Sequence, residues 1–502
     1  MQQVKGRWLS SLVVIGITMA ALCAPLSAFA ETTAPAAPAP VLPSVPAPPG
    51  GAIKIGLGWG LTAADIAAAG GLYVAGSDGQ LLAQIPAGKA VQLTLDAGQI
   101  AVAGVAQKLT AVRLVPVPSA APAPAPTTAI PASLLPPGPT PPPPPPLAAP
   151  AKPGNPVNFK GKTYRGEIMA VVAPGTKKLS VVNVVNLEEY LLGVVPEEVE
   201  ATWPQEAVKA QAVAARTYAV ANMGKRAADG FDLVCTTGDQ FYGGLASEKP
   251  LSNQAVMGTR GQVLAYGTPG KPISAMYHSS SGGHTENNEI IYFGNPKVPY
   301  LRGVQDFDLV AGNKLYSWEY QWDTVQFAGL LKSAGHDVGA VAAVAPVAAT
   351  KGASGRFGQW VISGSSGSKT ISGQQLRMAL NLPSSPRSVQ VQAGGMAPQV
   401  KTYTQAQTFF VMGAGGVVQQ RAVTGTAAIA AGQASAVAVG TVTAMSANAS
   451  QPAGVRVSGG GSGHAVGMSQ WGAYGMALIG KTYSDILTHY YTGVRLETRQ
   501  SQ

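Results

Sequence analysis

Cysteine is almost missing from this chain: 502 residues hold two, Cys23 and Cys235. Charge is scarce as well, at 12% of residues, and acids are outnumbered, 24 against 34 Lys and Arg, for a net charge of +10. Few charges beside 61 Gly and 40 Pro exclude a charge-laced helical protein and point to linkers and turn-rich β structure. The positive balance favours an anionic surface or polymer as partner. Nucleic acid is not expected, because the chain lacks both a dense Lys/Arg run and zinc-finger spacing. Acidic wall polymers fit better, since an exported chain meets them first. Long apolar runs are also lacking, apart from Leu9 to Leu22. That run follows Lys5 and Arg7 and precedes Ala28-Phe29-Ala30, so residues 1–30 read as a signal peptide cut before Glu31. A membrane anchor is the alternative, but the run is short for a span and Pro25 follows closely. Cys23 follows Leu22, not the small residue of a lipobox, and leaves with the signal. Cys235 then stands alone, so stability outside the cytoplasm must come from packing rather than a disulfide.

What is present divides into five stretches. After the signal, residues 31–51 form an Ala/Pro linker. Residues 52–117 carry short alternating runs, among them IKIGLGW, GLYVAG, AVQLTL and AVRLVPV, which predict the strands of a small β region. Residues 118–156 are Pro-rich, with six prolines from Pro141 to Pro146, and favour polyproline II. From 157 to 502 strand-like runs resume, at 164–171, 179–185 and 261–266 among others. Helices are expected at 249–259, at 373–380, from Ser469 to Ile479, and from Ser484 onward. Residues 390–450 read as further strands. The fold class that follows is α+β, a β-rich unit with a central buried helix, split by a proline-rich insertion. Two independent domains are the alternative.

The chain is organised around LEEYLLGVVPEEVEATWPQEAVKAQAVAARTYAVANM, Leu187 to Met223. Glu197 and Glu198 end an apolar segment, Trp203-Pro204 marks a turn, and an alanine-rich helix follows, with Pro204 suited to its first position. Lys209 and Arg216, seven residues apart, share nearly one face of that helix. A carboxylate beside a buried, cation-bearing helix can be tuned for acid–base work. The same residues also suit a charged turn next to a helix N-terminus.

This stretch resembles the signature of the stage II sporulation protein D / amidase enhancer LytB family of bacterial cell-wall proteins, with Val199 and Glu200 in place of the family's Met and Pro. Two more blocks extend the resemblance: AMYHSSSGGHTENNEIIYFGNPKVPYLRGVQDFD (275–308) and GGGSGHAVGMSQWGAYGMALIGKTYSDILTHYYTGVRLE (459–497), the latter with Ala465 where the family has Gly. The resemblance implies an exported, extracytoplasmic protein of the cell wall or envelope, serving sporulation or cell separation. It implies a peptidoglycan lytic transglycosylase, which cleaves between N-acetylmuramic acid and N-acetylglucosamine without a water nucleophile, and it puts the catalytic carboxyl at Glu198. The alternative is a non-catalytic wall-binding enhancer of an N-acetylmuramoyl-L-alanine amidase. A structural surface protein is a third possibility.

Lys209, Arg216, Gln240, Tyr242, His278, Ser279, Ser281, Glu286, His464, Ser469 and Gln470 are the candidate substrate-binding residues. A lactyl carboxylate suits a bidentate Arg. For Lys209 and Arg216 an internal ion pair with Glu206 or Glu198 is the competing role. For the serines it is turn chemistry, and for Trp471 it is core packing. A serine hydrolase is discounted, because Ser279–Ser281 lack the Gly-x-Ser-x-Gly elbow. The loop at 459–464 lacks the Gly-Lys-Ser/Thr ending of a phosphate loop. Cys235, Asp239, His278 and His284 make a mixed set without zinc spacing, so neither metal nor cofactor is expected. The expected partners are glycan strands of peptidoglycan and a cell-wall amidase.

Overall fold

A computed structural model describes residues 44–48, 51–118, 150–392, 407–412, 418–423 and 454–499. The signal peptide, nearly all of the first linker and most of the Pro-rich segment lie outside the described residues.

Strands from both sides of the Pro-rich segment share sheets. The larger sheet has the order β12-β1-β11-β10-β7-β3-β4. Here β1 is Ala52–Leu61, β3 Leu72–Gly76, β4 Leu81–Ile85, β7 Ala111–Pro116, β10 Glu167–Val172, β11 Leu179–Asn186 and β12 Leu233–Val234. β1 pairs antiparallel with β11, and β7 with β10. A second sheet runs β6-β5-β2-β8-β9, from Gln99–Val102, Ala90–Asp96, Ala63–Ala68, Val157–Phe159 and Lys162–Tyr164. β11 is buried along almost its whole length, as its near-continuous valine run requires of a strand covered on both faces.

β11 passes straight into helix α1, Leu187–Glu198, where the Asn186 side chain caps the Glu188 N–H at 2.9 Å. After the Trp203 turn comes α2, Gln205–Ala221. Pro204 stands at the capping position, one residue ahead of the expected start. α2 is the buried helix foreseen in the sequence. Val208, Ala212, Ala215 and Ala219 pack into one core with the sheets and α1. Ala207, Ala210, Val213 and Ala214 pack into a second core with residues from 264–307 and 466–496. Small side chains let both layers approach the one helix.

The remaining elements follow the sequence pattern closely. α3 spans Pro250–Gly258, and the strand Gln262–Tyr266 pairs with Arg495–Thr498. A third core gathers Trp318, Trp360, Phe327, Val455 and Val457 around the helices Thr324–Ser333 and Gly373–Ala379. Trp318 is buried there, its indole N–H donating to the Gly461 carbonyl at 3.0 Å. Within 390–450 the described backbone forms the end of the strand Ser388–Gln392 and the antiparallel pair Gln407–Met412 and Val418–Val423. Among the described residues no helix is long and apolar enough to cross a membrane.

Candidate functional site

Glu198 is the last residue of α1, so its carboxyl sits at the negative pole of that helix. One carboxylate oxygen accepts from the Phe241 N–H at 3.1 Å and the Tyr277 hydroxyl at 3.3 Å; the other accepts from Gln470 Nε2 at 3.4 Å. Each donor comes from a different part of the chain, and each is uncharged. Burial pushes the Glu198 carboxyl above the usual carboxylate range against the pull of these three bonds, with neighbouring Glu197 adding to the rise. Glu197 itself is exposed and accepts from the Ser247 hydroxyl.

Behind Glu198 runs a line of polar groups. Gln240 Nε2 donates to the Tyr277 oxygen at 3.0 Å and to the Ala215 carbonyl of α2 at 3.1 Å, and the Tyr190 hydroxyl donates to Gln240 Oε1 at 3.2 Å. The Gln470 amide lies 3.5 Å from the Gln211 side-chain oxygen. The carboxyl is therefore fixed by α1, α2 and both distant blocks.

Tyr277 and His278 form a short strand paired with Met468–Ser469. This pairing brings the second block against the third, and the rings of His278 and His464 stand 5.3 Å apart. His278 Nδ1 meets the Val466 carbonyl at 3.2 Å, leaving Nε2 buried and unpartnered. His464 Nδ1 accepts from the Val466 N–H at 3.1 Å. Both imidazoles are held neutral. Burial lowers His278 well below the ordinary histidine value, and burial with the Arg377 charge takes His464 to about 4. Ala465, between these contacts, adopts φ +64°, in the left-handed region that favours Gly.

The serine turn is held from below. Asp308 accepts from the Gly282 and Gly283 N–H groups at 2.7 and 3.0 Å, and Asp306 accepts from the Ser281 hydroxyl. Arg356 and Arg387 donate to the Ser281 carbonyl at 2.9 and 3.0 Å. Gly282 has φ +70°, and a side-chain carbon there would lie 2.6 Å from the backbone of Gly460. Glycine is therefore required where the two loops cross.

Several of the expected substrate contacts have partners inside the protein. Arg216 is buried and grips Glu188 through two bonds of 2.9 and 2.7 Å. Lys209 pairs with Glu206 at 2.7 Å and lies over the Tyr483 ring. The two cations do share a face of α2, but seven residues separate them by about 10 Å, so they reach different partners. Glu286 is fully buried, accepting from the Ala353 and Ser354 N–H groups at 3.0 Å each and from the Ser354 hydroxyl at 2.6 Å. Tyr242 is buried on Asn183, and Ser469 caps the helix Gln470–Leu478 by accepting from the Gly472 N–H. Ser281 is consumed by Asp306. These side chains shape the site from the interior. Gln470 bonds the carboxyl directly and Gln240 bonds Tyr277, which does the same; His278 packs against His464, and Ser279 supplies a carbonyl to the Trp471 N–H at 2.9 Å.

Sequence reasoning passed over the cleft itself. Tyr218, Lys225, Asp239, Tyr277, Tyr292, Asn295 and His464 line a cavity of about 400 Å³. Asp239 is held by Lys225 and by Arg226 at 2.9 Å, and also accepts from the Val234 N–H and Tyr218 hydroxyl. Next to Gln470 in sequence, Trp471 meets the Trp203 ring at 5.2 Å, and that ring stacks on Tyr474 at 4.8 Å. The signal available was aromatic density near the turn at Trp203 and in the block before Asp308.

Residues 175–266 match the model of a family described as stage II sporulation protein. An uncharacterized protein of Brachyspira hyodysenteriae is 30% identical over 338 residues, 67% of this chain and 73% of the relative. A protein of Bacillus subtilis named amidase enhancer is 30% identical over 347 residues, 68% of this chain but 45% of the relative. A protein of Bacillus amyloliquefaciens named stage II sporulation protein D is 29% identical over 357 residues, covering 82% of its length.

Proposed function

The chain belongs to the stage II sporulation protein D family, and from that premise we propose that it is an exported peptidoglycan lytic transglycosylase with Glu198 as its acid and base. One observation carries the reading. Glu198 is a largely buried carboxyl at a helix C-terminus, its bonding partners are all neutral, and it has no ion pair among the described residues. Such a group keeps its proton to higher pH than a surface glutamate, as a general acid must.

In the proposed reaction, the Glu198 carboxyl gives its proton to the glycosidic oxygen as the bond to C1 of N-acetylmuramic acid breaks. The carboxylate then takes the proton of that sugar's C6 hydroxyl. The C6 oxygen closes on C1 to form an anhydro ring. The proton returns to Glu198 and no water is consumed, so one carboxyl suffices, unlike the paired carboxylates of hydrolases.

The test is mass spectrometry of peptide-stripped glycan strands after incubation with the protein. Wild type should yield anhydro-ended fragments and Glu198→Gln none. Unchanged strands from wild type would sink the reading. The name of the Bacillus subtilis relative favours a second reading, a non-catalytic wall-binding partner of an amidase. In that case Glu198→Gln would stimulate a cell-wall amidase as well as wild type does.

A further inference from the structure

We infer that Trp203, Trp471 and Tyr474 form an aromatic platform that binds the C–H face of one hexosamine ring, at the subsite next to Glu198. The inference rests on the proposed role of Glu198 and names how the glycan is held beside it.

The three rings come from two segments far apart in sequence. Trp203 stacks on Tyr474, with centroids 4.8 Å apart and planes 18° from parallel. Trp471 completes the group, 5.2 Å from Trp203 and 5.8 Å from Tyr474. All three are half-buried. Trp203 packs against the core formed by the sheets and α1. Trp471 and Tyr474 belong to none of the apolar cores among the described residues, so core packing does not account for them. Their polar atoms are free as well. The two indole N–H groups and the Tyr474 hydroxyl have no acceptor among the described residues, and they are not sealed in the interior as the Trp360 indole N–H is. By contrast the buried Trp318 indole donates to the Gly461 carbonyl.

Two backbone connections place the group next to the carboxyl. Trp203 lies in the turn that leaves α1, its N–H donating to the Glu200 carbonyl at 3.0 Å, five residues after Glu198. Trp471 and Tyr474 lie on the helix Gln470–Leu478. Tyr474 stands one turn beyond Gln470, at the i+4 position, so the two share a face of that helix. Gln470 Nε2 meets the Glu198 carboxylate at 3.4 Å. The same two segments that meet at the carboxyl therefore meet again at the rings. Glu198 itself is only partly buried, so a ligand on the rings can also reach it.

A pyranose chair with equatorial substituents presents C–H bonds on its faces and oxygens around its rim. Flat aromatic faces cover the first, and indole or phenol donors at their edges meet the second. No charge is carried by the three rings, which suits a neutral sugar rather than the carboxylates of a peptide stem.

The experiment measures binding calorimetrically, with the full chain in the non-cleaving Glu198→Gln form. The probe is the tetramer of N-acetylglucosamine, which is neutral and has neither a lactyl group nor a peptide. Adding Trp471→Leu keeps apolar bulk but removes the flat face, and should weaken tetramer binding about tenfold. Adding Trp471→Phe keeps a flat face and should cost about threefold or less. Equal binding by the Leu and Phe variants, or no binding of the tetramer by any form, overturns the platform. Thermal melting checks the fold, and Tyr474→Leu against Tyr474→Phe repeats the comparison if a Trp471 variant unfolds. Binding that appears only with peptide-bearing strands, and still depends on Trp471, assigns the rings to the peptide and overturns the sugar. If wild type yields anhydro products while the Leu and Phe variants bind alike, the platform fails alone. If the tetramer binds through Trp471 but wild type leaves glycan strands uncut, the platform stands and the catalytic reading fails.

Discussion

Helix α1 carries a pair of glutamates at each end and treats one from each pair, Glu188 and Glu198, in opposite ways. Glu188, in the first turn, is buried against Arg216 with two bonds and also accepts from the Gly261 N–H at 3.0 Å. Its charge is met by a cation and by the positive pole of the helix. Glu198, in the last turn, is met by an amide, a phenol and a peptide N–H at the negative pole. The first environment pairs a carboxyl with a cation; the second gives it neutral partners, and burial raises its pKa. Residue type is the same, and position along ten residues of one helix decides the role.

The sharpest way to break this comparison is kinetic. Glu198→Gln should lower glycan cleavage by about 10³-fold or more, within the range for loss of a general acid, while a folded Glu188→Gln protein should cleave at near wild-type rates. Loss of cleavage in folded Glu188→Gln would erase the distinction.

Next in size is stability. Glu188→Ala leaves Arg216 buried without its anion and should cost about 3–5 kcal/mol in urea unfolding. Replacing both residues by Met should recover most of that loss, because an apolar pair needs no compensation.

A smaller effect tests the neutral end. Tyr277→Phe removes a donor that favours the Glu198 anion. The carboxyl should then hold its proton to still higher pH, and the alkaline limb of the kcat/KM profile should move upward, with a rate loss of about tenfold or less. A downward movement would mean that Tyr277 does not bond the carboxylate.

The smallest effect is a sign. The folded pKa of Glu198 is raised, so the stability it contributes is full below the ordinary glutamate value and is lost as pH rises through the folded value. Glu198→Gln does not titrate. Melting temperatures of the two proteins should lie closest at pH 4 and separate in favour of the variant by pH 8. An opposite trend would show that the native fold prefers the charged form.

Much of the framework was legible from local pattern. Alternation announced β1, β3, β5 and β7, and the helices expected at 373–380 and from Ser469 to Ile479 form at Gly373–Ala379 and Gln470–Leu478. β2, AADIAA, was passed over because alanine carries little strand signal, and it becomes a strand by pairing with β5 and β8. At the site, the sequence located the acidic end of α1 and the blocks that meet there. It did not reveal who pairs with whom. Arg216 finds Glu188, 28 residues upstream, and Glu286 finds Ser354, 68 residues downstream. Those choices depend on how helices and loops stack, a three-dimensional fact that spacing along one helix does not carry.

Gln470 reaches Glu198 across 272 residues, and the strand Arg495–Thr498 closes onto Gln262–Tyr266. A ribosome that has not yet released residues 454–499 therefore holds a nascent chain with no finished cleft, however well its earlier sheets have formed. If Glu198 acts as proposed, a product truncated before Gly454 should leave glycan strands uncut while retaining most of its own β-strands.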